Sequence, residues 1–185
     1  MRKRIILNFI LLFMFTFGAS QAITYLIAPL VPPIDVDVSP PAGWKSSDWP
    51  FLKDQFPAGL AFDCLQSECS GELRVTVRTK IGFCNCVTGV SDDEELERVS
   101  DLDLLSMRSI PVGAGRDISI RGLKGRIRLY SLQDEVRFLT SIAYNNQCDV
   151  VVVTGIGTID HLEEKVKSII TSNQVYNWVS KRLRL

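Results

Sequence analysis

Histidine is almost missing from this chain: His161 is the only one in 185 residues. A Ser-His-Asp or Cys-His arrangement would have to use it. No serine sits in a G-x-S-x-G turn, and His161 falls in the first turn of an expected helix, where a solvated surface residue is ordinary. No catalytic residue is assigned on these grounds, and a hydrolytic enzyme ranks third among the functional readings. Zinc usually asks for paired C-x2-C spacing or several histidines, neither of which occurs, so no metal and no cofactor is expected. The segment Gly155-Ile156-Gly157 falls short of G-x-G-x-x-G because Asp160 stands where the third glycine belongs. It reads instead as a strand-to-helix turn. A basic excess is absent as well, since 21 Lys and Arg face 21 Asp and Glu. That balance argues against a nucleic-acid partner. Internal repeats and low-complexity runs are also lacking.

Apolar length is concentrated at the start. Arg2, Lys3 and Arg4 precede a run from Ile5 to Phe17 broken only by Asn8 and Thr16, followed by Ser20, Gln21 and Ala22. This is the pattern of a secretory signal with small residues before the cut. Residues 1–22 are therefore expected to be removed, and any membrane contact is expected through this segment alone. The competing reading is an N-terminal anchor, because Ile23 to Val31 is again apolar and a span needs about 20 such residues. Beyond this region no apolar run is long enough to span. Removing the three basic residues of the signal leaves 18 basic against 21 acidic side chains, a net of −3. The expected location is the periplasm or another extracytoplasmic compartment. Residues 23–48, with Pro32, Pro33, Pro40 and Pro41, read as an extended segment, since proline fixes φ and removes a donor. Residues 49–185 have the length of one domain.

Within that domain, Leu73, Val75, Val77 and Ile81 alternate with Arg74, Thr76, Arg78 and Lys80, the period-2 pattern of a strand with one wet face. Further strands are expected at 117–121, 126–132, 137–144 and 148–154, with Gly122, Gly125, Asn145 and Asn146 as turn formers between them. Ser91 and Glu94 form a capping-box pattern before a helix that would turn Leu96, Val99 and Leu102 inward. Leu162, Val166, Ile169 and Ile170 make a second helical stripe. Val175, Trp178, Val179 and Leu183 make a third, starting near Asn173. The expected fold is α+β, an antiparallel sheet with C-terminal helices packed on one face.

Five cysteines in an exported chain read first as disulfides. Cys64, Cys69, Cys84, Cys86 and Cys148 are the candidates, and an odd number leaves one thiol over. Residues 59–64 and 71–81 read as paired hairpin strands, which brings Cys64 to Cys69. Facing Cα atoms there would be about 4.5 to 5.5 Å apart, within reach of a disulfide. Extended residues two apart lie about 6.6 Å from each other with parallel side chains, so Cys84 and Cys86 suit each other poorly. Cys148 is expected to take one of them. The sharper alternative makes Cys84 and Cys86 a redox or soft-metal site.

Charge supplies the remaining candidates. Lys124, Arg126 and Arg128 would share one strand face and make a small positive patch, suited to a lipid headgroup, an envelope polyanion or an acidic partner. Asp92, Asp93, Glu94 and Glu95 could offer oxygens to calcium, but acids at a helix start are accounted for by the helix dipole. The preferred function is a non-catalytic envelope protein that binds a protein or ligand through its sheet face. The alternative is a thiol-dependent redox or metal-binding protein using Cys84 and Cys86.

The segment Lys80-Ile81-Gly82-Phe83-Cys84-Asn85-Cys86, with Asp92-Asp93-Glu94 after it, resembles a family of small exported proteobacterial proteins of unassigned activity. Trp49-Pro50-Phe51 and Lys124-Gly125-Arg126 extend the resemblance over the middle of the chain. It implies export and no catalytic residue. The closing strand, helix and Trp178 segment is similar in layout to domains of the Mog1 and PsbP type, an analogy of fold alone.

Overall fold

The computed structural model describes residues 38–51, 55–69, 71–105, 108–133, 136–158 and 160–185. The expected signal, its alternative as an anchor, and the first part of the Pro-rich segment lie outside the described residues. Among the described residues no helix is long and apolar enough to cross a membrane.

Among the described residues, alternation of side chains produces eight strands: β1 (Trp44–Ser46), β2 (Leu60–Cys64), β3 (Leu73–Lys80), β4 (Ser109–Pro111), β5 (Arg116–Ile120), β6 (Leu123–Leu132), β7 (Phe138–Asn146) and β8 (Asp149–Gly157). They form one antiparallel sheet in the order β1-β2-β3-β8-β7-β6, with β4 and β5 both pairing the outer edge of β6. Among the described residues three helices follow the apolar stripes: α1 (Asp93–Val99), α2 (Leu162–Ile170) and α3 (Asn173–Leu183). The protein is thus α+β, with both C-terminal helices on one sheet face. Val75, Val77, Ile142, Val151 and Val153 pack there against Val166, Ile169, Val175 and Val179.

Several local expectations are corrected. The sheet starts before residue 49, because β1 pairs with β2 and Trp44 is buried in the core. The cap of α1 is Asp92, whose carboxylate accepts from the Glu95 N–H at 2.8 Å; Ser91 only bonds to Asp92. The turn between β7 and β8 is Gln147 and Cys148, so Asn145 and Asn146 close a strand. Gly125 is no turn former but an interior residue of β6, where a Cβ would come within 2.3 Å of the Ala143 carbonyl oxygen. Gly155 and Gly157 likewise belong to β8 and make no turn. A Cβ on Gly155 would lie 2.3 Å from Val166 Cγ2, so glycine is what lets α2 close on the sheet.

The second face of the sheet is the larger surprise. Along β3 it is wet only at the Arg74 end, because another layer covers the rest. Leu96 and Val99 of α1 pack on Ala143, Val150 and Val152. Leu102 and Leu105 of the following 3-10 turn (Leu102–Leu104) and its end pack near Tyr130, Leu132 and Leu139.

A charged cleft and the buried cations behind it

Arg74, Thr76, Arg78 and Lys80 do share the second face of β3, but they run from solvent into the interior. Arg78 and Lys80 are 1% and 3% exposed. Asp101, at the start of the 3-10 turn and itself 2% exposed, accepts from Arg78 Nη2 and, at 3.0 Å, from Lys80 Nζ. Lys80 also donates to the Val99 carbonyl at 2.5 Å and the Ser100 carbonyl at 3.1 Å. Three oxygens meet the three N–H groups of one ammonium, and two of them are carbonyls left over at the C-terminus of α1. Aromatic faces complete the enclosure. The Arg78 guanidinium lies 5.7 Å from the Trp49 ring and 5.4 Å from Phe56, while Lys80 Nζ lies 4.9 Å from Phe56 and 5.2 Å from Phe83. Asp101 bridges the two cations, and the aromatic faces add cation–π contact. Burial pulls the Lys80 ammonium below its ordinary pKa, with Asp101 pulling it back. This cluster fastens α1 to the sheet.

Toward the other end of β3 the same face opens into a cleft of about 450 Å³, lined by Lys45, Asp63, Glu72, Arg74, Arg137 and Ile156. The Arg74 fork clasps Asp63 through Nε at 2.7 Å and Nη2 at 3.3 Å. That hydrogen bond holds the Asp63 carboxyl below its ordinary range, and the guanidinium, half exposed, still reaches solvent. Asp63 and Arg74 face each other because β2 and β3 pair in that register. The Cys64–Cys69 disulfide, with its Cα atoms 6.2 Å apart, closes the loop beside them. A smaller cleft of about 300 Å³ flanks the other side of this loop and is lined by Glu68, Thr158, His161 and Lys165. His161 stands in the left-handed region at the start of α2, its side chain 73% exposed, with Nδ1 3.2 Å from Glu164.

The basic trio takes the face expected of it, yet two members are engaged by the acidic helix. Arg126 pairs with Asp93 at 2.5 Å and Asp117 at 2.7 Å, and Arg128 with Glu97 at 2.8 Å and Asp93 at 3.5 Å. Lys124 stays exposed. The Gly115 N–H and then Arg126 hold the Asp93 carboxyl low. Of the acids considered for calcium, Asp93 serves as a counter-ion to the arginines of β6, Asp92 caps α1 and Glu95 pairs with Arg98. Among the described residues no group of three or more His, Cys, Asp or Glu side chains converges as a metal site.

Cys86 is bonded to Cys148, with Cα atoms 4.2 Å apart. Cys84, counted among the disulfide candidates, is free and buried. Its N–H donates to the Cys148 carbonyl at 2.9 Å. Burial, aided by the charge of Glu95, pushes its thiol up to about 11, so it is protonated at neutral pH, the reverse of a reactive cysteine. Two disulfides are the chemistry of an oxidising, extracytoplasmic compartment. The cleft residues Lys45, Asp63 and Arg74 were not singled out from the sequence. The available signal was Asp63 beside Cys64 and Arg74 on the returning strand of the same hairpin.

No family model and no curated protein matches the chain. Among solved structures it is similar to the solution structure of cyanobacterial PsbP (CyanoP) from Synechocystis sp. PCC 6803, at 16% identity and a TM-score of 0.41, over 69% of this chain and 76% of that one. A likeness at this level is one of layout and carries nothing about function.

Proposed function

We propose that the protein is a non-catalytic binding domain of the cell envelope and that its partner seats on the open end of the second sheet face. The cleft of Lys45, Asp63, Glu72, Arg74 and Arg137 carries this reading. Its volume is that of a ligand site, and a wall bearing both signs of charge selects a partner by electrostatic complementarity. Arg126 and Arg128 offer less to an outside partner, because α1 already supplies their carboxylates. In the producing cell, a photo-reactive residue at Gln66, which lines the cleft, should give a discrete cross-linked adduct, lost on Arg74→Glu. A probe at Lys124 should give none. An adduct at Lys124 alone would return the binding face to the basic patch.

The export signal is part of the same reading: residues 1–22 are removed and the mature chain begins at Ile23. N-terminal sequencing checks this, and Met1 on a membrane-bound product would leave the anchor in its place. The thiol-dependent alternative is supported by one observation, the backbone hydrogen bond that holds Cys84 beside Cys148. The protonated state of the buried Cys84 thiol speaks against it.

A further inference from the structure

The floor of the charged cleft is one row of side chains on the second sheet face. Strand register sets Lys45 opposite Asp63, Asp63 opposite Arg74 and Arg74 opposite Ile156. Neighbouring strands lie about 4.8 Å apart, so the row steps across the sheet as cation, acid, cation and apolar side chain. Asp63 gives both of its oxygens to Arg74: Oδ1 accepts from Nε at 2.7 Å and Oδ2 from Nη2 at 3.3 Å. The acid side chain is 22% exposed and the arginine 50%. Asp63 therefore offers little to a cation arriving from solvent. Its role in the cleft is that of a brace.

A guanidinium carries five N–H donors in one plane. Asp63 holds the edge formed by Nε and Nη2, which fixes that plane. The second edge, formed by Nη1 and the other N–H of Nη2, has no hydrogen-bond partner among the described residues. Arg74 lines the cleft, so this edge meets an open volume of about 450 Å³ in an orientation set before any ligand arrives. Two parallel N–H groups match the two oxygens of a carboxylate. Charge narrows the choice further. Lys45, Arg74 and Arg137 face Asp63 and Glu72, which leaves the described lining with one cation in excess. One carboxylate balances that. A phosphate, with a charge near −2, would overshoot it and would also meet exposed Glu72. The cleft has room for several residues of a chain, and Ile156 beside Arg74 supplies an apolar contact.

The geometry points to an acidic peptide segment as the occupant of the cleft, with a Glu or Asp carboxylate lying fork to fork on the free edge of Arg74 and an apolar neighbour over Ile156. This rests on the binding role proposed for the cleft and names the chemistry of its partner. Lys45, exposed on the far side of Asp63, adds to the field that draws the carboxylate in.

The test titrates ¹⁵N-labelled protein with N-acetyl-Val-Glu-Val-amide and, in parallel at equal ionic strength, with N-acetyl-Val-Gln-Val-amide. The glutamate peptide should move the Arg74 Nε–H signal and the backbone N–H signals of Gly71 and Ile156 saturably. The glutamine peptide should bind at least about tenfold more weakly, the loss expected for a charge-assisted fork. Arg74→Lys, which keeps the charge and loses the fork, should weaken the glutamate peptide to a similar degree, read from Gly71 and Ile156. Lys45→Gln should weaken it roughly two- to fivefold, as for an exposed charge, and Lys124→Gln, the same change of charge outside the cleft, should leave it unchanged. Equal responses to the two peptides, or unchanged affinity in Arg74→Lys, would overturn the inference, as would inorganic phosphate binding more tightly than the glutamate peptide. The cross-link from Gln66 separates this inference from the reading beneath it. An Arg74-dependent adduct with no glutamate response keeps the binding cleft and removes the carboxylate; a glutamate response with no adduct keeps the carboxylate chemistry and removes the cellular partner.

Discussion

Replacing Asp101 by Asn should be among the most damaging single changes available in this protein. The substitution keeps the size of the side chain and removes one negative charge from a site where Arg78, Lys80 and Asp101 are all at least 97% buried. What remains is two interior cations whose shared carboxylate is gone. Removing one partner of a buried ion pair costs about 3–5 kcal/mol. In a domain of this size about 1 kcal/mol lowers Tm by roughly 2–4 °C, so the expected loss is roughly 6–20 °C. The pH dependence adds a check on mechanism. Lys80 has a folded pKa below its unfolded value, so between the two the unfolded chain binds more protons and stability rises with pH. Without Asp101 the Lys80 pKa falls further, which widens that window downward. The deficit of Asp101→Asn should therefore shrink as pH rises through the alkaline range, by the part due to Lys80, while the part due to Arg78 persists. Lys80→Met keeps the Arg78 and Asp101 pair and should cost less than Asp101→Asn, although α1 loses two capped carbonyls. Scanning calorimetry at several pH values measures all of this. A drop of less than about 3 °C for Asp101→Asn, or a deficit unchanged with pH, would refute the claim that these charges are buried and mutually compensating.

The two disulfides should differ in what they contribute: on loop-closure entropy the Cys86–Cys148 bond, spanning 62 residues, is worth about 4 kcal/mol and Cys64–Cys69, spanning 5, about 2 kcal/mol. Thermal melts of Cys148→Ser and Cys69→Ser should show the larger loss in the first, and equal losses would contradict the assignment. Because Cys84 is already held beside Cys148, Cys86→Ser should fold with a Cys84–Cys148 bond; a non-reducing peptide map that finds two free thiols instead would show that Cys84 cannot reach. Gly125→Ala should cost on the order of 1–3 kcal/mol from overpacking against the β7 backbone, read by chemical denaturation, and a neutral result would place that glycine outside the strand.

Much of the fold was legible because local physics set it. Strand β3 shows itself by alternation, α2 and α3 by stripes that match the residues they bury, and the start of α1 by a run of acids that favours a helix N-terminus. The pairing of Cys64 with Cys69 followed from two strands and a short loop. The charged cleft was harder to see, since it joins Lys45, Arg74 and Arg137 from three separate strands or their flanks, and spacing along the chain says nothing about that meeting.

Alternation determined that Arg74, Arg78 and Lys80 lie on one face; whether that face meets water was decided elsewhere. Period 2 records only that side chains point the same way, and covering Arg78 and Lys80 required α1, Trp49, Phe56 and Phe83 to dock from distant parts of the chain. The same holds for Arg126 and Arg128, whose positive patch existed in the sequence and was neutralised when α1 brought Asp93 and Glu97 against β6. For the cysteines, the sequence by itself limited Cys148 to two partners two residues apart. Tertiary structure chose Cys86 and buried Cys84, because which side chain of a short loop faces the β7–β8 turn depends on how that loop packs, and packing is not a local property.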